Sequence, residues 1–436
     1  MSLENSPAPA GLKSPPYLAP FRLDRLAAEG LSDIIRGREL YVWGGAFVGQ
    51  GLVRGLMRQG FKPRAILDQS PRLVGRELLG LPVLHPEEVL SGSGLADKIF
   101  VFMASGYWEH QMARRLEEAG LTEWRDYWSS GELAPVQPAV EIAGACNLRC
   151  QGCPRGNLTE HPPRGFMSAA DYGRVLDKLL TEIPFLGAVQ LYVWGEPLLN
   201  PEFSQIVRLT RERGVLSIVS TNLNTKMSME ELLSAAPDML RLSASGFGPE
   251  YEITHTGGNW ERFLGNFCRL AELRPRLAPD MAVELYYHLY RHNGGESARK
   301  MKALAGEAGF MFRPVWGCLY PWDNLQLLAE GRPLSETAAR HLELVIGDLP
   351  AILKHGQEHP DDPPCNLARC FPIDWDRSVL GCGTWYRPRL VEDYLTVPLA
   401  DILQAKIESP LCRRCAGLGI HQVNFPFMAD RGADIG

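Results

Sequence analysis

No stretch of this 436-residue chain reaches the roughly 18 consecutive apolar residues of a membrane span, and its opening, MSLENSPAPAGLKSPPYLAP, holds neither the basic nor the apolar region of a secretory signal. Both absences point to a cytoplasmic protein with no membrane partner. No block of basic residues stands out either. With 45 Lys and Arg against 51 Asp and Glu the net charge is −6, which argues against nucleic acid or any large polyanion as a partner. Cysteine is scarce, and ten in a chain of this length are too few for a disulfide scaffold. Eight of the ten nevertheless fall into two clusters, which reads as metal binding in a reducing compartment. Only Cys268 and Cys318 stand apart.

The chain is long enough for two or three domains. Residues 1–35, rich in Pro, Ser and Ala, read as a loosely ordered leader. Residues 36–135 read as a small α/β unit: ELYVWGGAFVGQGLVRGLMRQG is strand, glycine turn and helix, and PRAILDQS, LPVLHPEEVL and KIFVFMAS supply further strands. Over 136–320, six apolar segments (PAVEIAG, AVQLYVWG, LSIVSTN, MLRLSAS, AVELYYHLY and GFMFRPVW) alternate with amphipathic helical patterns. Such βα units imply parallel strands with right-handed crossovers, curling into a partial (β/α)6 barrel of TIM type whose chemistry lies at the C-terminal strand ends. Residues 321–360 read as a helical connection. The tail, 361–436, is cysteine-rich with little helix or strand of its own, so it is expected to need a metal to fold.

AGACNLRCQGCPRG, 143–156, places Cys146, Cys150 and Cys153 in a C-x3-C-x2-C pattern straight after the first barrel strand. Thiolates suit zinc and iron-sulfur clusters alike. Three of them leave one iron of a four-iron cluster without a protein ligand, and that open position can bind a cofactor. The spacing and its place after a strand resemble the radical S-adenosylmethionine (SAM) family. The resemblance implies that SAM chelates the open iron through its amino and carboxylate groups, and that its reductive cleavage yields a 5′-deoxyadenosyl radical which takes hydrogen from a substrate. A zinc site or structural cysteines is the alternative.

Further positions match the family. WGEP, Trp194, Gly195, Glu196 and Pro197, stands where the family has GGEP, with Glu196 the implied holder of the SAM amino group and Trp in place of the first glycine. Ser220, Thr221 and Asn222 end the third strand, where similar enzymes bond the ribose, and Ser243 and Ser245 occupy a turn that in the family carries an acidic residue. Arg291, in LYRHN, resembles the arginine that pairs with the SAM carboxylate, a bidentate task suited to guanidinium. His292 and Asn293 are weaker candidates. Each of these polar residues also has a plain reading as a strand-end cap or surface ion pair.

The tail block ending IDWDRSVLGC resembles a SPASM or twitch domain, with Arg377 replacing the turn glycine. That resemblance implies one auxiliary iron-sulfur cluster on Cys365, Cys382, Cys412 and Cys415, with Cys370 either substituting for Cys365 or lying beside it. Structural zinc on the same thiols is the alternative. In the first unit, Gly44, Ala46 and Gly49 stand at the positions of a Rossmann fingerprint, with Asp68 closing the next strand. The segment looks like the small Rossmann-like domains attached to sugar-nucleotide enzymes; it either binds a nucleotide or serves as a docking module.

Cys318 follows the sixth strand and is a candidate hydrogen donor to a substrate radical or a small buried hydrophobe, while Cys268 reads as packing. Tyr286 and His288 share one face of the fifth strand, lining a lumen or a satisfied core. The expected activity is hydrogen abstraction from a small polar molecule, a sugar or nucleotide-linked sugar, leading to oxidation, epimerisation or decarboxylation, with flavodoxin or ferredoxin as electron donor. A maturase of ribosomal peptides and an iron-sulfur redox sensor or scaffold are the alternatives.

Overall fold

The computed structural model describes residues 30–105, 108–133, 136–157, 163–359, 365 and 367–424. Most of the leader thus lies outside the described residues, as does the end of the tail. Its last turn does not: the helix Leu31–Ile35 buries Leu31, Ile34 and Ile35 in the core of the first unit, so that unit begins inside what read as leader.

The first unit is a six-stranded sheet of β1 (Glu39–Trp43), β2 (Ala65–Leu67), β3 (Glu77–Leu78), β4 (Leu81–Leu84), β5 (Ile99–Met103) and β6 (Tyr127–Ser129), ordered β3-β4-β2-β1-β5-β6. Only the β3–β4 pair is antiparallel. At two and three residues, β3 and β6 are too short to show in the alternation of the sequence. Packing accounts for the glycine turn. A Cβ on Gly49 would lie 1.6 Å from the Gly44 carbonyl oxygen, and Gly44, at φ 129°, would drive one to 2.5 Å from Ala104 O. Asp68 is occupied too, its two carboxylate oxygens accepting the Gly45 and Ser70 amides at 2.7 Å.

The helix after this turn, Phe47–Arg58, docks on the barrel. Gly51 lies against Gly187, and a Cβ on Gly55 would come within 2.4 Å of Phe185 O. Arg58 donates to the carbonyls of Pro184, Leu186 and Gly214, and Arg54 pairs with Asp238. All these barrel residues precede strands, so the unit sits under the N-terminal end of the barrel, opposite the mouth that carries the first cysteines.

The second sheet holds β7 (Gln137–Val140), β8 (Ala188–Gln190), β9 (Leu216–Thr221), β10 (Met239–Ser243), β11 (Ala282–Leu289) and β12 (Met311–Trp316), parallel and in chain order. All six coincide with the expected strands. Leu240, Leu242, Val283, Leu285 and Tyr287 face outward into a core shared with helices Ala169–Glu182 and Trp260–Leu277. The register Ser220↔Arg241↔Glu284 and Ser243↔Tyr286↔Arg313 puts the alternate, polar positions on the inner face.

The tail departs from expectation. β13 (Cys370–Ile373) pairs parallel with β7, and β14 (Val379–Cys382) and β15 (Trp385–Val391) continue the same sheet as antiparallel strands. Phe371, Ile373, Tyr394 and Ile402 join the barrel core, while Cys382, Trp385, Ile420 and Val423 pack with Cys318, Trp322, Leu325 and Leu353. The tail therefore draws on apolar cores that it shares with the barrel and with the helices of 321–360. Among the described residues no helix is long and apolar enough to cross a membrane.

Candidate active site

The chain leaves β7 through Glu141, a carboxylate 2% exposed between apolar neighbours. Its Oε2 accepts the amides of Trp194 at 2.5 Å and Gly195 at 2.8 Å, while the Glu196 amide returns to Ala145 O at 2.8 Å. These bonds lace the loop after β8 onto the segment leading to the first cysteine. Glu196 continues the chain: Oε2 accepts the Asn222 amide at 2.8 Å and Oε1 the Leu198 amide at 3.2 Å, capping the turn Pro197–Leu199. Asn222 then donates to Asn147 Oδ1 at 2.9 Å and lies 3.8 Å from Cys146 Sγ. The structure brings WGEP, Asn222 and Cys146 together, with both Glu196 oxygens engaged by backbone.

Burial raises both carboxyls to about 7, Glu141 and Glu196 alike. A raised carboxyl binds its proton more tightly folded than unfolded, so that stabilisation is complete below the ordinary value of 4.5 and is lost as pH rises through about 7. The thermal midpoint is accordingly expected to fall between about pH 5 and pH 7, and to fall less in Glu196→Gln. A pH profile as steep in the variant as in the parent would refute this.

Burial also pushes the Cys146 thiol up to about 12 and Cys150 well above its usual range, and the neighbouring sulfurs add to both. In this half-buried loop Cys146 and Cys150 resist ionising unless a cation shares their charge, and with Cys153 the donor set suits an iron cluster. Gly152, between them, packs where a Cβ would lie 2.9 Å from His341 Nε2 and 3.1 Å from the Tyr290 hydroxyl. His341 Nε2 is 3.0 Å from Cys318 O, so Cys318, 4% exposed and raised to about 12 by burial, sits close behind the loop. Cys268, by contrast, is exposed on its helix rather than packed.

On the inner face Ser245 Oγ meets His288 Nδ1 at 3.2 Å, with Ser243 beside Tyr286 and Ser220 beside Arg241. Burial and the Arg241 charge lower His288 to about 4, which keeps it neutral. Arg291 does not join these residues. It is exposed and directs its guanidinium to Ile346 O, because the loop after β11 is tied to 344–346 rather than turned over the mouth.

The arginine that does lie beside the loop is Arg155, just after the last loop cysteine. Its buried Nε has no partner among the described residues, and its charge acts on Glu141, Cys146 and Asp374. Glu141 Oε1 and Trp194 Nε1 are likewise buried without a partner among the described residues, so the segments flanking the cysteine loop hold unsatisfied donors and acceptors, a set whose chemistry fits a polar cofactor such as SAM. Two signals in the sequence marked the missed residues: a Glu inside the apolar run PAVEI and an Arg in CPRG just after the last cysteine.

A second centre lies in the tail. Cys365, Cys382, Cys412 and Cys415 line one cleft with Trp322, Trp385 and Lys406, about 420 Å³ of empty space including its opening. Cys370 is not in that lining: its sulfur faces Gly383 and its carbonyl holds the buried Lys406 ammonium. Tyr320 stands between the two centres, its ring 5.8 Å from that of Trp194 and its electrostatic neighbours including Cys318 and Cys382.

Comparison with known proteins agrees with this geometry. Residues 140–281 match the family model described as the radical SAM superfamily. The AdoMet-dependent heme synthase of Methanosarcina barkeri is 30% identical over 136 residues, 30% of this chain and 38% of that protein. The tungsten-containing aldehyde ferredoxin oxidoreductase cofactor-modifying protein of Pyrococcus furiosus is 30% identical over 106 residues, 24% of this chain and 29% of that one. The chain thus spans less than two fifths of the length of either relative. Among solved structures, Streptococcus suis SuiB bound to precursor peptide SuiA aligns with 72% of this chain and 75% of its own at 12% identity and TM-score 0.43. Residues 140–281, carrying the three-cysteine loop, WGEP and Asn222, thus match the radical SAM superfamily, a family that uses a four-iron cluster and SAM.

Proposed function

We propose that this protein is a radical SAM enzyme acting on a small polar substrate, a sugar or nucleotide-linked sugar, held in the lumen of the partial barrel. The observation that carries this reading is the convergence, at one barrel mouth, of the three-cysteine loop with the hydroxyl-rich inner face of β9 to β11. When bound, the cluster and SAM supply reductive cleavage of the sulfonium and removal of a hydrogen atom from the substrate. Cys146, Cys150 and Cys153 would hold the cluster, while Arg155 and the backbone arranged by Glu141 would orient SAM. Ser220, Ser243, Ser245 and the neutral His288 offer donors and acceptors to substrate hydroxyls. Cys318, kept protonated by burial, retains a hydrogen atom close to the loop.

The tail cleft suits a body larger than one ion. Among the described residues no three Cys, His, Asp or Glu are placed to hold a single metal ion, while four thiols surround one space. In this reading they carry one auxiliary iron-sulfur cluster, and flavodoxin or ferredoxin supplies electrons. The first unit, under the far end of the barrel, serves as a docking base rather than as the source of a nucleotide ligand.

Anaerobic incubation of reduced protein with SAM and deuterated candidate sugars is expected to place deuterium in 5′-deoxyadenosine. Label arriving only from peptides would establish the maturase reading instead, and no 5′-deoxyadenosine at all would leave the sensor reading standing.

A further inference from the structure

The lumen carries a charge surplus that this chemistry does not consume. Glu284 on β11 has a fully buried side chain, and both of its oxygens are engaged, by Arg241 Nε on β10 at 2.5 Å and by Arg313 Nε on β12 at 2.8 Å. One guanidinium would neutralise it. The second leaves this layer with a net positive charge, and the two arginine side chains are 26% and 42% exposed where Glu284 is sealed.

Arg241 is further fixed by donating Nη1 to the Tyr192 hydroxyl at 2.8 Å and by lying over the Tyr286 ring, 4.4 Å from its centroid. Arg313 has only Glu284 as partner among the described residues, so both its Nη groups remain available. The inner-face neighbours Ser220, Ser243 and His288 bring no counter-charge, His288 being held neutral. A buried carboxylate holding two guanidinium groups by their Nε atoms, with Arg241 Nη2 and both Nη groups of Arg313 given no partner among the described residues, is an arrangement that orients arginines toward a ligand.

We propose that Arg241 and Arg313 form an oxyanion subsite in the lumen, so that the substrate carries a carboxylate or a phosphate, which the two guanidinium groups hold one to two layers below the Ser245–His288 pair. This rests on the reading of the lumen as the substrate pocket. Glu284 is a positioning residue, and anchoring by charge would set how deep the substrate sits and which of its C–H bonds reaches the mouth.

The test uses the full cluster-loaded chain without SAM at low ionic strength, following the thermal midpoint against inorganic phosphate, D-glucuronate and D-glucose. Phosphate or glucuronate is expected to raise the midpoint and glucose to leave it unchanged, and the oxyanion acting at the lower concentration identifies the group. In Arg313→Gln, which leaves Arg241 on Glu284, the half-maximal concentration should rise roughly tenfold or more, as loss of a charge-assisted hydrogen bond implies. Arg276→Gln, on an exposed helix turn, should behave as the parent. Equal shifts in Arg313→Gln and the parent, or glucose as effective as glucuronate, would overturn the proposal. Release of 5′-deoxyadenosine by the parent protein is read separately: its absence would sink the enzymatic reading, and its presence without an Arg313-dependent shift would sink only this one.

Discussion

Cys150→Ala is expected to reduce 5′-deoxyadenosine formation to background while the tail keeps its metal. Cys150 is the middle thiol of the loop, half-buried, and its ordinary tendency to ionise is suppressed by desolvation and by Cys153 and Cys146. Removing it takes away one of the three loop sulfurs, and a cluster held by the remaining pair should not persist. The cleft lined by Cys365, Cys382, Cys412 and Cys415 is built from other elements and draws no ligand from the loop, so it should be unaffected. Total iron is therefore expected to fall by about half rather than to zero. An alanine variant that still cleaves SAM, or one that loses all its iron, would contradict the division into two independent centres.

The second large effect belongs to Gly195→Ala. A Cβ there would lie 1.7 Å from Ala143 O and 2.9 Å from Ala145 O, both backbone atoms that no side-chain rotation can clear. Relief requires separating the loop after β8 from the segment before Cys146. That would break the amide contacts of Trp194 and Gly195 to Glu141 and of Glu196 to Ala145. Loss of about 3–5 kcal/mol in unfolding free energy is expected, together with loss of SAM cleavage. Gly306→Ala is the control: it lies within the helix Gly295–Glu307 with nothing within 4 Å of its Cβ position, and should gain about 0.5–1 kcal/mol. Comparable unfolding curves for the two variants would show that the close approach at Gly195 is not needed.

Periodicity placed all six barrel strands because each is an apolar run flanked by helical patterns, so local sequence and final position agree. The tail strands escaped notice for the opposite reason. CFPI and VLGC are four-residue segments whose partners, β7 and one another, are found only once the barrel exists. In the site, residues linked by close spacing or by a strand end were legible: the loop cysteines, WGEP and Asn222. Arg291 was misplaced because a position after a strand says nothing about which way a long side chain turns. Glu141 and Arg155 were missed because a charge at the end of an apolar strand looks like a boundary until the amides it satisfies are seen. The glycines at 44 and 49 resemble a phosphate cradle, yet the same absence of side chains is demanded by a helix crossing close over a strand.

The parallel pairing of β13 with β7, extended by the Glu141 amide donating to Ile373 O, has a practical consequence. Cutting the chain before Cys365 would not release a trimmed catalytic barrel. It would strip the strand that carries the cysteine loop of its lateral partner and expose an unpaired edge to self-association. A strand far downstream of the loop thus closes the flank on which the first cysteines depend, and the barrel's first strand gains its second neighbour only when the tail folds back onto it.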